Sequence, residues 1–266
     1  MKLKKDKKIN NNPLISIIMN CHNGEKYLST SLQSIIKQTY KNWELIFYDN
    51  KSSDNSKKIV KNLKDNRIKL FSSSKFITLY KARNLAVQKC KGKFITFLDT
   101  DDWWHKEKLK RQIEFFKKFK KTKILYSKFY IFDQETKKKK INTERIYSGQ
   151  ITKNLMKNYN IGILTTMVER NIFTKFRFSQ KYNIIGDFDF FTRLSLEYPF
   201  NKIDKPLAYF RLHKKNYSRL NINRYIDELN YWLKFNKKLF KKKGVTLLHP
   251  WITLVKLKIK KIINYY

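Results

Sequence analysis

The sequence predicts an α/β protein, a doubly wound and mostly parallel sheet followed by a helical tail. Three observations carry that expectation. Short apolar runs alternate with stretches of helical period through the first half, the pattern of strand–helix–strand units. The apolar runs end in polar turns at Asn20, Asp49 and the Asp99–Asp102 cluster, and doubly wound sheets bind ligands at those carboxyl ends. After Glu228 no acidic residue occurs, while lysine recurs from Lys234 to Lys261.

Residues 1–12 read as a disordered basic arm. Residues 15–19 form an uninterrupted apolar run, a buried strand. Asn23-Gly24-Glu25 then supplies a turn and cap for a helix with Leu28, Leu32, Ile35 and Ile36 on one face. Residues 43–48 are a second strand, ending at Asp49. Ser52-Ser53-Asp54 caps a helix carrying Ile59, Val60 and Leu63. A third strand covers 67–71, a helix 79–90, and a fourth strand 93–98 runs straight into Asp99-Thr100-Asp101-Asp102. An amphipathic helix over 106–119 places Leu109, Ile113 and Phe116 together. Residues 124–132 read as a strand, with the lysine run 137–140 as an exposed hairpin tip and 141–147 as its return. A strand over 163–168, a helix over 187–198 and a strand over 205–212 follow. Helices over 222–242 and from His249 onward close the chain. The expected organisation is the arm 1–12, one domain over 13–220 with halves 13–120 and 121–220, and a basic helical tail over 221–266.

The chain has 266 residues with 41% hydrophobic and 15% aromatic side chains, too apolar for disorder and long enough to bury a core unaided. Two cysteines, Cys21 and Cys90, exclude a disulfide scaffold and a cysteine zinc cluster. No apolar segment opens the chain and no run is long enough to span a bilayer, so the expectation is a soluble, cytoplasmic protein. Against 21 acidic residues stand 60 Lys and Arg, a net charge of +39, which raises nucleic-acid binding as a function. Three features argue against it. The positive charge is mostly lysine, whereas arginine reads guanine and forks onto phosphate. Alanine occurs only at 82, 86 and 208, a skew of the whole composition toward AT-rich codons. No helix-turn-helix, finger or RNP pattern is present. The acid-free tail instead suits an anionic membrane surface. Ile252, Val255, Ile259, Ile262 and Ile263 share one face of its last helix, which reads equally as a helix docked on the domain or an interfacial anchor.

The aspartates carry the chemistry. A lone Asp-x-Asp triplet is weak, but this chain has two, Asp99-Thr-Asp101 and Asp187-Phe-Asp189. The first belongs to three carboxylates in four residues at the end of a buried strand. Such groups repel one another unless a cation sits among them, and hard oxygen ligands suit Mg²⁺ or Mn²⁺. Helix capping accounts for one of the three and leaves two unexplained.

Four blocks then carry a resemblance. Residues 16–28, residues 38–54, Ala82-Arg83-Asn84, and residues 92–103 with the Asp99-Thr-Asp-Asp cluster resemble, in order and spacing, family 2 glycosyltransferases. Gly186-Asp187-Phe-Asp189 and Tyr209-Phe-Arg-Leu-His213 resemble that family's later motifs more loosely. The resemblance implies a GT-A, Rossmann-like fold, a nucleotide-sugar donor with a UDP-sugar favoured, a divalent metal (Mn²⁺ or Mg²⁺), and inversion at the sugar carbon. It implies that residues 13–120 form the nucleotide-sugar half and 121–220 the acceptor half. Carried over by position, Asp49 holds the base with Asn20 and Asn23 in the same pocket, Arg83 lies near the nucleotide, and Asp99 faces the ribose or sugar. Asp101 and Asp102 bind the metal with a further contact from His213, and Asp187 is the general base. His22 reads as a structural neighbour of the nucleotide turn, and Asp189 as a residue orienting the Asp187 turn. Two positions depart from the family pattern. Asn50 and Lys51 follow Asp49 where Asp-Gly is common, and Gly186 stands where an acid often precedes the base. The implied activity is transfer of a sugar to a glycan or lipid-linked acceptor in bacterial surface-polysaccharide assembly, peripheral on the inner face of the cell membrane, with no nucleic-acid partner. The alternative is a non-catalytic binder of anionic polymers, nucleic acid or membrane.

Overall fold

The computed structural model describes residues 12–142 and 145–263, so the arm expected over 1–12 lies outside it except for Asn12. The strands β1 (Ile15–Cys21), β2 (Trp43–Asp49), β3 (Ile68–Ser72) and β4 (Phe94–Phe97) run parallel in the spatial order β3-β2-β1-β4. Helices α1 (Glu25–Ile36), α2 (Ser56–Asn62) and α3 (Leu79–Lys89) connect them. Every residue of β1 and β2 is buried, as a parallel sheet covered on both faces requires. Alternation along the strands sorts the core into two layers. Ile17, Met19 and Phe47 pack with Leu28, Leu32 and Ile35 of α1, while Ile18, Ile46 and Tyr48 pack with Tyr80, Ala82 and Ala86 of α3.

One charge is built into this half. Glu44 in the middle of the sheet is 3% exposed. It accepts hydrogen bonds from Ser16 Oγ, Lys69 Nζ and the Lys91 N–H at 2.7, 2.9 and 2.6 Å. Burial raises its pKa, but these donors outweigh burial and hold the carboxyl below its usual range. Gly92 beside it meets the backbone of Leu14 and Ser16 so closely that a Cβ would overlap both.

The second half completes one sheet in the order β3-β2-β1-β4-β8-β6-β9-β5, with β7 on the outside of β6. In chain order its elements are β5 (Trp103–Trp104), α4 (Lys108–Lys118), β6 (Ile124–Asp133), β7 (Lys139–Ile141), α5 (Thr152–Lys157), a 3₁₀ turn over Ile163–Thr165, and β8 (Met167–Glu169). Then come α6 (Ile172–Lys175), α7 (Gly186–Ser195), β9 (Phe200–Leu212), α8 (Tyr217–Leu220), α9 (Ile222–Lys242) and α10 (Leu248–Ile263). β8 is antiparallel to both β4 and β6, and β6 is parallel to β9. The parallel core thus turns into a mixed sheet exactly one strand beyond β4.

Two local expectations are corrected. The segment 163–168 is not one strand. Thr165 Oγ1 donates to the Gly162 carbonyl and Thr166 Oγ1 to that of Ile163, at 2.7 and 2.8 Å, and these local bonds favour a 3₁₀ turn over the ladder. The lysine run 137–140 is not wholly a hairpin tip. Asp133 Oδ1 accepts the N–H groups of Glu135 and Thr136, an Asx-type turn that sets the reversal earlier. Lys139 and Lys140 therefore already pair with Phe132 and Ile131, and of the expected return 141–147 only Ile141 is strand. Residues 143 and 144 lie outside the described residues.

The tail helix α9 is docked. Trp232 is fully buried, its ring 4.7 Å from that of Phe188, and its Nε1 donates to Asp189 Oδ1 at 3.1 Å. Glu228 accepts the N–H groups of Asn183, Ile184 and Ile185 at 2.7, 2.9 and 3.2 Å. α10 packs back through Leu254, while Leu248, Trp251, Ile259 and Ile262 remain exposed.

Lys108 generates a stability prediction. It is fully buried on α4, where its Nζ meets no carboxylate but Thr96 Oγ1 and Gln112 Oε1, both at 2.9 Å, and the Trp104 ring at 4.0 Å. Burial pushes the amine well below its ordinary value. The unfolded chain therefore binds a proton that the fold resists, and stability rises with pH up to the unfolded value of about 10.4. Denaturant titrations of wild type and Lys108→Met between pH 7 and 10 should show wild type gaining on the variant as pH rises. A pH-independent difference would refute the neutral amine.

Candidate active site

The carboxyl ends of β1, β2 and β4 meet where the sheet order reverses, the position at which doubly wound sheets bind ligands. A cleft of about 490 Å³ opens there. Asn20 enters it from β1, Arg83 from α3, the Asp99–Asp102 turn from the end of β4, and Asp187 from the first turn of α7. The loops after β1, β2 and β3 contribute His22, Asn50, Phe76 and Thr78, and Arg224 of α9 reaches it from the tail.

The three carboxylates after β4 diverge. Asp99 Oδ1 receives Arg83 Nη2 at 2.9 Å. Asp101 Oδ2 lies 3.0 Å from His213 Nε2 and its carboxylate is 30% exposed. Asp102 turns inward, where its Oδ1 accepts the Arg211 N–H at 2.8 Å. Burial, with Asp101 and Asp99 beside it, pushes the Asp102 carboxyl well above the usual range. Arg211 also donates Nε to the Asp101 carbonyl at 2.7 Å, and its guanidinium lies 4.5 Å over the rings of Tyr27 and Trp103. The end of β9 thus fixes the turn, and the inward Asp102 accepts the backbone bond that ties it there. Among the described residues no three Asp, Glu, His or Cys side chains converge as a ready cation cage. Asp101 and His213 are the donor pair that fits a divalent cation, because such ions beside a diphosphate take one or two protein ligands and complete their shell from phosphate and water.

The same cleft offers polar atoms with no hydrogen-bond partner in the protein. Asn20 Nδ2 and Oδ1, Thr78 Oγ1 and Arg83 Nε are all buried and unbonded. Buried polar groups are nearly always paired, so four such atoms on one cleft fit a polar ligand. Arg83 itself is 2% exposed and held among the rings of Tyr80, Phe97 and Phe178 at 5.3, 5.7 and 5.5 Å. At the mouth, the His22 ring is 4.6 Å from that of Phe76, which is 60% exposed.

Asp187 has no cation in direct contact. Burial pushes its carboxyl up to about 6; the Phe188 N–H and Arg83 pull it down and Asp99 raises it further. The Phe188 N–H reaches Oδ1 at 2.8 Å and Tyr80 Oη lies 3.5 Å from it. Gly186 is explained by the same tyrosine, because a Cβ at 186 would overlap the Tyr80 ring. Tyr80 occupies the space an acidic side chain would need. Asp189 is 3% exposed and bonded to Arg193 and Trp232, so it orients α7 and anchors α9.

The structure gathers Asn20, Arg83, Asp99, Asp101, Asp102 and Asp187 on one cleft, with His213 bonded to Asp101. It leaves out two expected residues. Asn23 sits at φ 53° and its Oδ1 accepts the Ser53 N–H at 2.8 Å, so its side chain closes a turn away from the cleft. Asp49 is fully buried and is not among the residues lining the cleft; its Oδ2 accepts the Ser52 N–H at 3.2 Å and its Oδ1 has no hydrogen-bond partner. Its neighbour Asn50 lines the cleft instead and ties the loop to Ile77, accepting the Ile77 N–H at 3.0 Å and donating to its carbonyl at 2.7 Å. His22, read as a structural neighbour, is a wall residue. Sequence reasoning missed Asn50, Phe76, Thr78, Tyr80 and Arg224. Asn50 alone had a signal, its place after Asp49 in a motif block.

Residues 16–195 match the family described as Glycosyl transferase family 2. The chain is 38% identical over 166 residues, 62% of its own length, to UDP-Glc:alpha-D-GlcNAc-diphosphoundecaprenol beta-1,3-glucosyltransferase WfgD of Escherichia coli, and it spans 64% of that relative. Its fold is similar to S. aureus TarS 1-349 in complex with UDP-GlcNAc, with a TM-score of 0.64 and 17% identity over 82% of this chain and 64% of that one. It is similar also to the mannosyltransferase PcManGT from Pyrobaculum calidifontis in complex with GDP-Man and Mn²⁺, with a TM-score of 0.64 and 13% identity over 91% and 70%. The architecture of these neighbours is the GT-A fold that the motif blocks implied, and the family match spans the parallel strand ends, the Asp99–Asp102 turn and the Asp187 turn, while His213 and Arg224 lie beyond it. This chain belongs to glycosyltransferase family 2.

Proposed function

We propose that the protein transfers a sugar from a nucleotide-sugar donor, a UDP-sugar favoured, to a glycan or lipid-linked acceptor, with inversion and with a bound Mn²⁺ or Mg²⁺. One observation carries the reading: the Asp101–His213 pair and the raised carboxyl of Asp187 line or adjoin one cleft whose wall holds unpartnered polar atoms. The relative named as a UDP-Glc glucosyltransferase acting on a diphosphoundecaprenol acceptor supports the donor and acceptor classes. The complexes with UDP-GlcNAc and with GDP-Man and Mn²⁺ support a nucleotide and a cation in this fold. The anionic-polymer alternative has no comparable support, since the family match and the cleft both point to transfer.

In this reading Asn20, Asn50 and Thr78 bind the nucleoside, with the exposed ring of Phe76 as a stacking surface. Arg83 contacts the donor through its free Nε while its Nη2 orients Asp99 toward the sugar. Asp101 and His213 would hold the cation, which would supply charge neutralisation for the diphosphate leaving group. Asp102 keeps the turn on β9. Asp187, as the carboxylate, takes the proton of the acceptor hydroxyl as that oxygen attacks the anomeric carbon. The transition state has oxocarbenium character, as in glycoside hydrolysis.

The tail extends the reading to a membrane. Phe235, Leu239, Leu248, Trp251, Ile259 and Ile262 are exposed on α9 and α10, among lysines with no acidic residue after Glu228. No helix among the described residues is long and apolar enough to cross a bilayer. Peripheral seating on the anionic inner face of the cell membrane fits both facts.

Four measurements test these assignments. Titration of UDP with Mn²⁺ should show affinity falling at least about tenfold in Asp101→Asn. Unchanged affinity would remove Asp101 from the cation site. Asp187→Asn should leave UDP affinity intact and lower kcat by about a hundredfold or more. Because the base must be ionised, kcat/KM in wild type should fall tenfold per pH unit below about pH 6, where the carboxyl is held. An acid limb near pH 4 would contradict the raised carboxyl. Sedimentation with phosphatidylglycerol vesicles should carry the protein down, less so in 0.5 M salt (on the order of a 4 Å screening length) and less in Ile259→Glu/Ile262→Glu. Equal sedimentation with neutral phosphatidylcholine would rule out the electrostatic seat.

A further inference from the structure

A second cavity, of about 380 Å³, lies behind Asp187, walled by α5, the start of α7, α9 and α10. It shares Ile184 and Asp187 with the donor cleft. Its apolar wall includes Leu155, Met156 and Leu229, and its polar groups include Tyr159, Tyr225 and Thr253. Tyr159 Oη is buried with no hydrogen-bond partner, and its ring stands edge-on to Phe188 at 5.2 Å. A buried hydroxyl without a partner is rare in a native interior and calls for an explanation. Tyr159, Tyr225 and Tyr80 all have their hydroxyl pKa raised, by burial first and then by the Asp187 carboxylate, which sets the three around one acid. A chamber with aliphatic walls, aromatic rings and a few convergent hydroxyls matches a sugar ring, which has apolar C–H faces and a polar rim.

We infer that this cavity is the acceptor subsite, taking a pyranose ring whose attacking hydroxyl meets Asp187 and the donor sugar at the wall the two cavities share. The inference rests on the transferase reading above and adds to it the class of group that docks and the residues that choose it. The acceptor oxygen bonds to the anomeric carbon of the donor sugar. The bond from that carbon to the diphosphate oxygen breaks, its electron pair leaves on the nucleoside diphosphate, and the hydroxyl proton passes to the Asp187 carboxylate. Tyr159 is a positioning residue: its hydroxyl bonds a ring substituent and does not touch the reacting atoms. Tyr225, Leu229, Pro250 and Thr253 lie beyond the family-matched segment 16–195, so acceptor choice is set by the docked tail.

The test is saturation-transfer NMR on the full chain with UDP, Mn²⁺ and methyl pyranosides of glucose, N-acetylglucosamine, galactose and mannose. At least one pyranoside should saturate in wild type. Thr253 is exposed and its hydroxyl donates to the His249 carbonyl of its own helix, so Thr253→Trp fills the cavity from the surface without disturbing the core. It should abolish the pyranoside signal and keep the UDP signal. Tyr159→Phe keeps the ring contact with Phe188 and should weaken the pyranoside about tenfold, raising acceptor KM with kcat little changed. Pyranoside saturation in Thr253→Trp equal to wild type, or no pyranoside signal while UDP saturates, would overturn the inference. Loss of UDP saturation in wild type would strike the donor reading instead, and the pyranoside signals would still judge the cavity.

Discussion

Four carboxylates face one cleft, and like charges that close raise one another's pKa or drive each other apart. The fold answers each with a different neighbour. Asp99 has Arg83, Asp101 has His213, and Asp102 has the Arg211 N–H; Asp187 has only the Phe188 N–H and a distant tyrosine hydroxyl. Much of the surrounding architecture follows. Arg83 is caged by three rings so that its guanidinium stays on Asp99. β9 is the longest strand among the described residues, thirteen residues, and its end and the residue that follows carry Arg211 and His213 to an aspartate turn more than a hundred positions earlier in the chain.

The unequal answers divide the labour. In the proposed transfer, a carboxylate with a histidine beside it would share a cation; one bonded to a backbone N–H and buried is a strut; one left without a cation keeps its proton longer and would serve as a base poised near neutral pH. Asp187 can stay in that costly state because its helix is pinned from behind. Glu228 binds three successive N–H groups just before α7, and Asp189 holds Trp232. The tail is therefore part of the catalytic frame, whatever its outer face also does.

Legibility tracked the range of the interaction. The parallel core was readable because burial on both faces leaves continuous apolar runs, and α9 because its amphipathic period continues over 21 residues. The Asp99 cluster was readable because its members are adjacent. Which carboxylate turns inward was not, since that depends on Arg211 arriving from β9. Asn23 and Asp49 stood in the matched motif blocks, but Asn23 closes a turn on Ser53 at φ 53° and Asp49 is buried at its strand end, so neither lines the cleft. Gly186 looked like a lost acid until Tyr80, 106 positions earlier, was found in its place. Tyr159 belongs to no motif, and only its unpartnered hydroxyl marks it.

The charge of the chain bears on the cation as well. With a net charge of +39, a protein could neutralise a diphosphate with its own lysines. None lines the donor cleft, where the cations are Arg83 and Arg224 and the acids Asp99, Asp101, Asp102 and Asp187. Arg83 is already committed to Asp99, so the side chains present leave a dianionic leaving group poorly compensated in a region of low dielectric, where charge effects are strongest. In the proposed reading a divalent ion held at Asp101 and His213 would correct that balance, and the lysines of the outer helices, which do not line the cleft, would serve the anionic surface.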